Sequence, residues 1–269
     1  MSFKISFCGK SEIGKVRKNN EDSIFIDNDL SLAVVADGMG GHKSGEIASS
    51  MAVKIIAEKY AQLTEAQMKP SPYYEKYSVQ TNRLIFSVNI ANAMIYETSK
   101  AKEENKGMGT TVTACACCDG ILSLVHIGDS RAYLIRENSI FQLSSDHSLV
   151  MEQVRKGIIT KEQAETSPLQ NVLLKALGTQ SLIEPEISET EIKEGDKILL
   201  CSDGLFKCVK EEDILSAVKA KNNCEEAVKI LIKESYEAGA PDNVTIALGT
   251  AEKIEFKEKL KMLLRKIGI

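Results

Sequence analysis

Val34-Val35-Ala36-Asp37-Gly38-Met39-Gly40-Gly41 decides how this chain is read. Leu32 to Ala36 is an apolar run rich in β-branched residues, the composition of a buried strand. The run stops at Asp37, and glycines follow at 38, 40 and 41. A carboxylate is thereby held at the end of a rigid strand, on a turn where backbone comes close to a ligand. Hard cations take oxygen ligands of this kind, backbone carbonyls included. A single Asp-Gly would be a tight turn and nothing more, but the pattern recurs. Ile198–Ser202 runs into Asp203-Gly204, Leu122–Ile127 runs into Gly128-Asp129, and Asp242 shortly precedes the strand-like Val244–Leu248. Four acids at the ends of apolar strands point to one site rather than four unrelated turns. Phosphate-loop readings of the glycines fail. A Walker loop needs Gly directly before Lys43-Ser44, where His42 stands, and a dinucleotide fingerprint from Gly38 needs Gly at Lys43.

The totals agree with a soluble globular chain. Its 269 residues suit one large domain or two small ones, and 43% apolar with 27% charged residues supply an ordinary core. A net charge of −4 leaves no basic excess for nucleic acid. Seven cysteines without a regular framework lead us to expect free thiols in a reducing, cytoplasmic compartment. Cys115 and Cys118 form a Cys-x-x-Cys, but inside a strand pattern that reads as core. The N-terminus lacks a signal-peptide pattern, and no apolar run approaches the ~20 residues of a membrane span.

Along the chain, residues 3–8 alternate as an edge strand, and Gly14 to Asp22 is a polar loop ahead of a strand at Ser23–Ile26. Arg17 in that loop is a candidate anion clamp, since its guanidinium fork matches phosphate oxygens. Glu21 and Asp22 add nearby carboxylates suited to an outer shell. Ser44–Leu63 and Ser78–Lys100 carry apolar faces at helical spacing. Thr111–Cys118, Ile121–Ile127, Ala132–Arg136 and Ser139–Leu143 read as a four-strand antiparallel meander, with Asp119-Gly120 as a hairpin turn. Asp146-His147-Ser148 opens a helical stretch, and Thr160 with Gln163 makes a capping box. The insertion 146–172 is either a mobile flap or a helical connection. Asp196–Cys201 is a strand, Glu211–Val218 and Asn223–Ala238 are amphipathic helices, and Pro241-Asp242-Asn243 turns into the last strand. Grouped strands and paired helices give an α+β class with helices layered outside sheets.

Asp37, Asp203 and Asp242, with the Gly38 carbonyl, would make an oxygen-rich site for Mg²⁺ or Mn²⁺. Two ions at about 3.5–4 Å could share Asp37 and hold a water between them for in-line hydrolysis of a phosphate ester fixed by Arg17. Here the chain resembles the metal-dependent, type 2C serine/threonine protein phosphatases in their bacterial form. The matching residues are Gly14-x-x-Arg17-x-x-Asn20-Glu21-Asp22, Val35 to His42, Gly109-Thr110-Thr111, Gly128 to Tyr133, Asp146-His147-Ser148, Ser202-Asp203-Gly204 and Asp242 to Thr245. The resemblance implies a β-sandwich of two antiparallel sheets with helices on both sides, in α-β-β-α layers. It places the catalytic domain over residues 1–250, with 146–172 as the flap that shapes substrate access. It makes Asp37 the bridging ligand, gives the second metal the Gly38 carbonyl, assigns Asp203 and Asp242 to the first metal, and gives a weaker third ion Asp129 and Asp203. Glu21 joins the metal set, and Arg17 matches the phosphate-binding arginine.

Two departures stand out. Eukaryotic members carry His after the Asp-Gly as a proton donor; Met39 stands there in this chain, which leaves His42 as the candidate general acid. Lys175 replaces the Arg usual in bacterial relatives. The competing readings are a pseudophosphatase that only recognises a phosphoprotein and a different metal hydrolase such as a nuclease. Retention of Asp37, Asp203, Asp242 and Arg17 argues against the first, and the acidic balance against the second. Expected partners are phosphoproteins, including a serine/threonine kinase and its substrates; a monomer is expected. The tail 251–269 is expected to be a basic amphipathic helix. Residues 253–269 carry a net +4, with Phe256, Leu260, Leu263, Leu264 and Ile267 in one stripe. It either packs on the domain or docks weakly on an anionic membrane surface or a partner.

Overall fold

The computed structural model describes residues 3–40, 44–221 and 223–254. β3 (Leu32–Met39) shows why its sequence is so continuously apolar. Successive strand residues point to opposite faces. Leu32, Val34 and Ala36 enter one hydrophobic cluster, whereas Ala33 and Val35 enter another. β10 (Lys197–Cys201) repeats this, with Leu199 and Cys201 on one side and Ile198 and Leu200 on the other. Both faces of both strands are covered, which removes the polar alternation of a half-exposed strand.

Two antiparallel sheets carry these strands. One has the order β1-β11-β10-β7-β8, from β1 (Phe3–Glu12), β7 (Arg131–Arg136), β8 (Ser139–Gln142) and β11 (Val244–Lys253). The other runs β2-β3-β5-β6-β9, from β2 (Asp22–Asp27), β5 (Val112–Cys118), β6 (Ile121–Ile127) and β9 (Glu186–Glu191), with the short β4 (Gly109–Thr110) beside β3. The cluster of Ile5, Val35, Leu124, Leu134, Leu200 and Ala247 lies between the sheets. On the outside, α1 (Ser44–Glu65) and α2 (Val79–Ala101) cover the second sheet through Ile56, Tyr60, Leu84 and Ile95. α6 (Glu211–Lys219) and α7 (Cys224–Glu237) cover the first through Ile214, Val218, Val228 and Leu231. Each large aliphatic side chain so buried contributes about 1.5–3 kcal/mol. The layers are α-β-β-α, as the sequence reading expects.

Local signals act where the chemistry requires them. Asp119 and Gly120 take φ of 51° and 83° between β5 and β6, both central residues of the hairpin being left-handed. Ser78 caps α2, Ser148 caps α3 (Leu149–Arg155), and Thr160 with Gln163 forms the capping box of α4 (Lys161–Glu165). Cys115 is buried in the inter-sheet cluster, as the core reading of Cys-x-x-Cys expects.

Three expectations are corrected. The four strands from 111 to 143 are not one meander: β5 and β6 pair in one sheet, β7 and β8 in the other. The chain changes sheets at Gly128, whose φ of +109° and whose closeness to Thr111 leave no room for a Cβ. The cysteines are not all free, since Cys8 on β1 is joined to Cys224 at the start of α7 across a separation of 216 residues. Finally, β11 extends to Lys253, so Ala251–Lys253 belong to the sheet rather than to a tail helix. The rest of that expected helix, 255–269, and His42 lie outside the described residues.

Candidate metal centre

The acids singled out from the sequence meet at one end of the sandwich. Asp37, at the end of β3, stands in register with Asp22 at the start of β2. Side chains opposite each other in such a pair have Cβ atoms about 4.5–5.5 Å apart, and like charges there repel. The backbone of Asp37 is fixed by the Gly109-Thr110-Thr111 stretch. Its N–H donates to Thr111 Oγ1 (2.9 Å), and its carbonyl accepts from Thr111 N (2.8 Å) and Thr110 Oγ1 (2.9 Å). Gly38 follows where a Cβ would run into the carbonyl oxygens of Glu21 and Gly45, so the backbones close around this turn only with glycine there.

Buried hydroxyls connect the two sheets at this end. Thr111 Oγ1 lies 2.7 Å from Ser130 Oγ, next to Asp129. Ser202, next to Asp203, donates its hydroxyl to Asp22 Oδ2 (2.7 Å) and accepts from Thr245 N (3.0 Å). Asn243 ties the polar loop to the last strand: it donates to the carbonyls of Ile13 (2.9 Å) and Asn19 (3.0 Å) and accepts from Glu21 N (2.8 Å). Its own N–H donates to Asp242 Oδ1 (2.9 Å).

The electrostatic consequence is a surplus of buried negative charge. Burial first, then Asp22, Asp203, Asp129 and Asp242, hold the Asp37 carboxyl well above the usual carboxylate range. Burial pushes Asp22 up to about 7 against the hydrogen bonds from Thr245 and Ser202, with Asp203 and Asp242 adding to the rise. Asp129 is pushed up to about 7 by burial and by Asp203, with Lys207 opposing. Burial also raises Glu21, whose carboxylate lies against Gly45 in the first turn of α1. Among the described residues, two cations answer this charge. Arg17 Nη2 lies 2.6 Å from Asp242 Oδ2, and that hydrogen bond raises the Arg17 pKa; half of the arginine side chain remains exposed. Lys207 Nζ lies 2.6 Å from Asp203 Oδ2. Burial works against the lysine's charge, but Asp203, Asp129 and Asp37 carry its pKa above the ordinary value. Asp203 Oδ1 is buried and has no hydrogen-bond partner. Hard oxygen donors, surplus negative charge and an unpartnered carboxylate oxygen together fit a divalent cation.

The geometry thus brings together Asp37, Gly38, Asp129, Asp203, Asp242, Glu21 and Arg17. Met39 packs its methyl against Gly109. Sequence reasoning missed Lys207, although its i+4 spacing from Asp203 was a readable signal. It placed Asp22 only in an outer shell, without foreseeing the burial that its Ser202 contact brings. A second cluster, His126, His147 and Glu186, brings ligand atoms within 4.8 Å of one another. Three of its four ring nitrogens are already engaged, those of His126 with Thr113 Oγ1 and the Gly128 carbonyl and His147 Nδ1 with Gly128 N, while His147 Nε2 lies 3.7 Å from Glu186 Oε2. Burial lowers these histidines to about 3 and about 4. They are neutral posts that hold the sheet crossing beside Asp129.

A layered α-β-β-α sandwich with an acidic end of this kind defines a class, and the chain belongs to the protein phosphatase 2C family. The family profile, Protein phosphatase 2C, matches residues 8–239. The serine/threonine phosphatase stp of Listeria welshimeri is 34% identical over 242 residues, which cover 89% of this chain and 93% of that one. Among solved structures, the Mycobacterium tuberculosis serine/threonine phosphatase PstP/Ppp superposes with a TM-score of 0.82 at 34% identity, covering 93% of this chain and 100% of that one. The catalytic domain of PstP in complex with two manganese ions gives a TM-score of 0.80 at 33% identity, with the same coverage. No helix among the described residues is long and apolar enough to cross a membrane.

Proposed function

We propose that the chain is a metal-dependent protein serine/threonine phosphatase that hydrolyses phosphoserine and phosphothreonine esters. One observation carries the reading: Asp37, Asp203 and Asp242, with Asp129 and Glu21, converge from separate strand ends on one buried, under-neutralised site. The relatives named as serine/threonine phosphatases, one of them solved with two manganese ions, supply the substrate class and the cofactor. Asp37, Asp203 and Asp242, with the Gly38 carbonyl and Glu21, would hold two Mn²⁺ or Mg²⁺ ions. When bound, the pair would supply activation of a water nucleophile and positive charge for the phosphoryl oxygens.

The residues of the chain do the rest. Arg17, held by one Nη2 contact to Asp242, keeps further donors for phosphate oxygens, so it binds and orients the phosphoryl group. The Thr110 and Thr111 contacts fix the Asp37 backbone before substrate arrives, and such pre-organisation removes reorganisation from the reaction. Phosphoproteins are the partners, and a kinase that phosphorylates them is the natural counterpart. Mn²⁺-dependent release of inorganic phosphate from a phosphothreonine peptide tests the proposal. Tight peptide binding without release at saturating Mn²⁺ would instead establish a phosphoprotein-recognition module.

A further inference from the structure

Among the described residues, Lys207 is the one cation seated directly on a carboxylate of the Asp22, Asp37, Asp129 and Asp203 cluster. Asp203 opens the short helix α5 (Asp203–Phe206), and Lys207 follows one turn later. Residues four apart on a helix lie on the same side. Its Nζ donates to Asp203 Oδ2 at 2.6 Å and to Asn171 Oδ1 at 2.7 Å. Asn171 lies 36 residues earlier in sequence, at the end of the 146–172 insertion. An ordinary i,i+4 surface pair would involve only its own helix. Here the partner carboxylate is mostly buried, with 12% of its side chain exposed, and the second contact reaches another segment.

The two oxygens of Asp203 are used differently. Oδ2 is covered by the ammonium, whereas Oδ1 is buried without a partner and would be the oxygen open to the metal pair. Asp129 is within electrostatic reach of both Asp203 and Lys207. A divalent ion shared by Asp129 and Asp203 would need an Asp203 oxygen at about 2.0–2.2 Å. On the Oδ2 side the ammonium already stands there. It is a compact point charge with three donors and no lone pair, so it cannot join an ion's coordination shell and repels one at close range.

We propose that Lys207 serves as the tethered third cation of this site: it takes the Oδ2 side of Asp203 in place of a third divalent ion and anchors the end of the 146–172 insertion through Asn171. The chain would thus work with two ions, where a homologous site with a neutral residue at this position could recruit a third. The insertion would be held by the same ammonium that neutralises the metal ligand. This rests on the two-metal reading above.

Counting Mn²⁺ separates the two claims. Titration calorimetry and equilibrium dialysis on the full chain should give two Mn²⁺ for the wild-type protein, with no further site up to millimolar Mn²⁺. Lys207→Gln should bind three, the third more weakly, and adding Asp129→Asn should return the count to two. Hydrogen exchange of backbone amides at 165–172 should accelerate several-fold in Lys207→Gln at equal Mn²⁺. Lys207→Met, which keeps the length of the stem, serves if the Gln variant melts early in EDTA. Two ions in the wild type and still two in both Lys207 variants would overturn the inference while sparing the two-metal reading. Three ions in the wild type would also overturn it. A wild-type protein that binds no Mn²⁺ would remove both.

Discussion

The molecule buries acids in two ways, at two places. Asp146 receives the Arg131 fork through Nε (3.0 and 3.1 Å) and Nη2 (2.8 Å), together with Gln142 Nε2 at 3.0 Å. Asp196 is treated likewise by Arg136, at 2.9 and 2.6 Å, and by the backbone N–H of Lys193 at 2.7 Å. At the metal centre, by contrast, Asp22, Asp37, Asp129 and Asp203 face one another, and Lys207 is the one cation among them that the described residues supply. The residue type is the same and all but the half-buried Asp37 are buried, yet one set is compensated by the chain itself and the other is not. A fully paired buried acid holds elements in place. An under-paired cluster lowers the stability of the metal-free protein and keeps its oxygens available for an ion.

Removing an acid should therefore have opposite consequences in the two places. Asp146→Ala leaves the Arg131 guanidinium, only 18% exposed and stacked on Phe206, without its partner. Breaking a buried pair in this way costs about 3–5 kcal/mol. At roughly 2–4 °C per kcal/mol for a chain of this size, the melting temperature should fall by about ten degrees. Scanning calorimetry reads this directly. A loss under three degrees would show that the fork is incidental.

Asp37→Asn is the counterpart. The EDTA-treated variant should melt no lower than wild type, because a repelling charge has gone. Its kcat/KM on a phosphothreonine peptide should fall by at least ~10²-fold, the scale of losing a principal electrostatic element. Near-normal turnover at saturating Mn²⁺ would sink the bridging assignment. Early melting in EDTA would mean that Asp37 holds the fold together as Asp146 does.

The same contrast explains what was legible in the sequence. β3 and β10 announce themselves because both faces are buried and an acid stops each run. Asp119-Gly120 is readable because its two left-handed residues satisfy a local rule. β9, Glu-Ile-Ser-Glu-Thr-Glu, is not, because it is an edge strand whose residues are half-buried or exposed. The switch of sheets at Gly128 depends on Thr111, seventeen residues earlier and beyond any local pattern. Asp37, Asp203 and Asp242 could be named from their strand ends and from the family motifs. Asp22 could not be placed, since its environment is created by Ser202, 180 residues away. Cys8 and Cys224 fail for the same reason.

Arg17 lies between the two modes, since it is paired to Asp242 but half exposed. If its free donors meet phosphate, Arg17→Ala should lower kcat/KM on phosphopeptide by about 10- to 100-fold, corresponding to charge-assisted hydrogen bonds of ~1.5–3 kcal/mol. The Mn²⁺ count should remain two and the melting temperature nearly unchanged. Wild-type kcat/KM would make Arg17 a surface arginine that merely screens Asp242.

The smallest effect is the dependence of stability on pH, and its sign is the sharpest test of an under-paired cluster. Asp22 and Asp129 are pushed up to about 7 in the folded chain, mainly by burial, against ~3.9 in an unfolded one. Between these values the folded protein binds more protons than the unfolded protein. The stability of unfolding therefore falls as pH rises. Their contribution is fully present below about pH 4 and is lost as pH climbs through 7, the reverse of an acid held by an arginine. In EDTA the melting temperature should decline by a few degrees from pH 5 to pH 7.5. With saturating Mn²⁺ the decline should flatten or invert, because ions bind deprotonated carboxylates and so favour the higher pH. Other titrating groups are common to both series, so the difference between them isolates the centre. Asp22→Asn should reduce the decline in EDTA. A metal-free protein that gains stability over this range relative to the Mn²⁺-loaded one would mean that these acids are compensated after all, and the distinction between the two sets would fall.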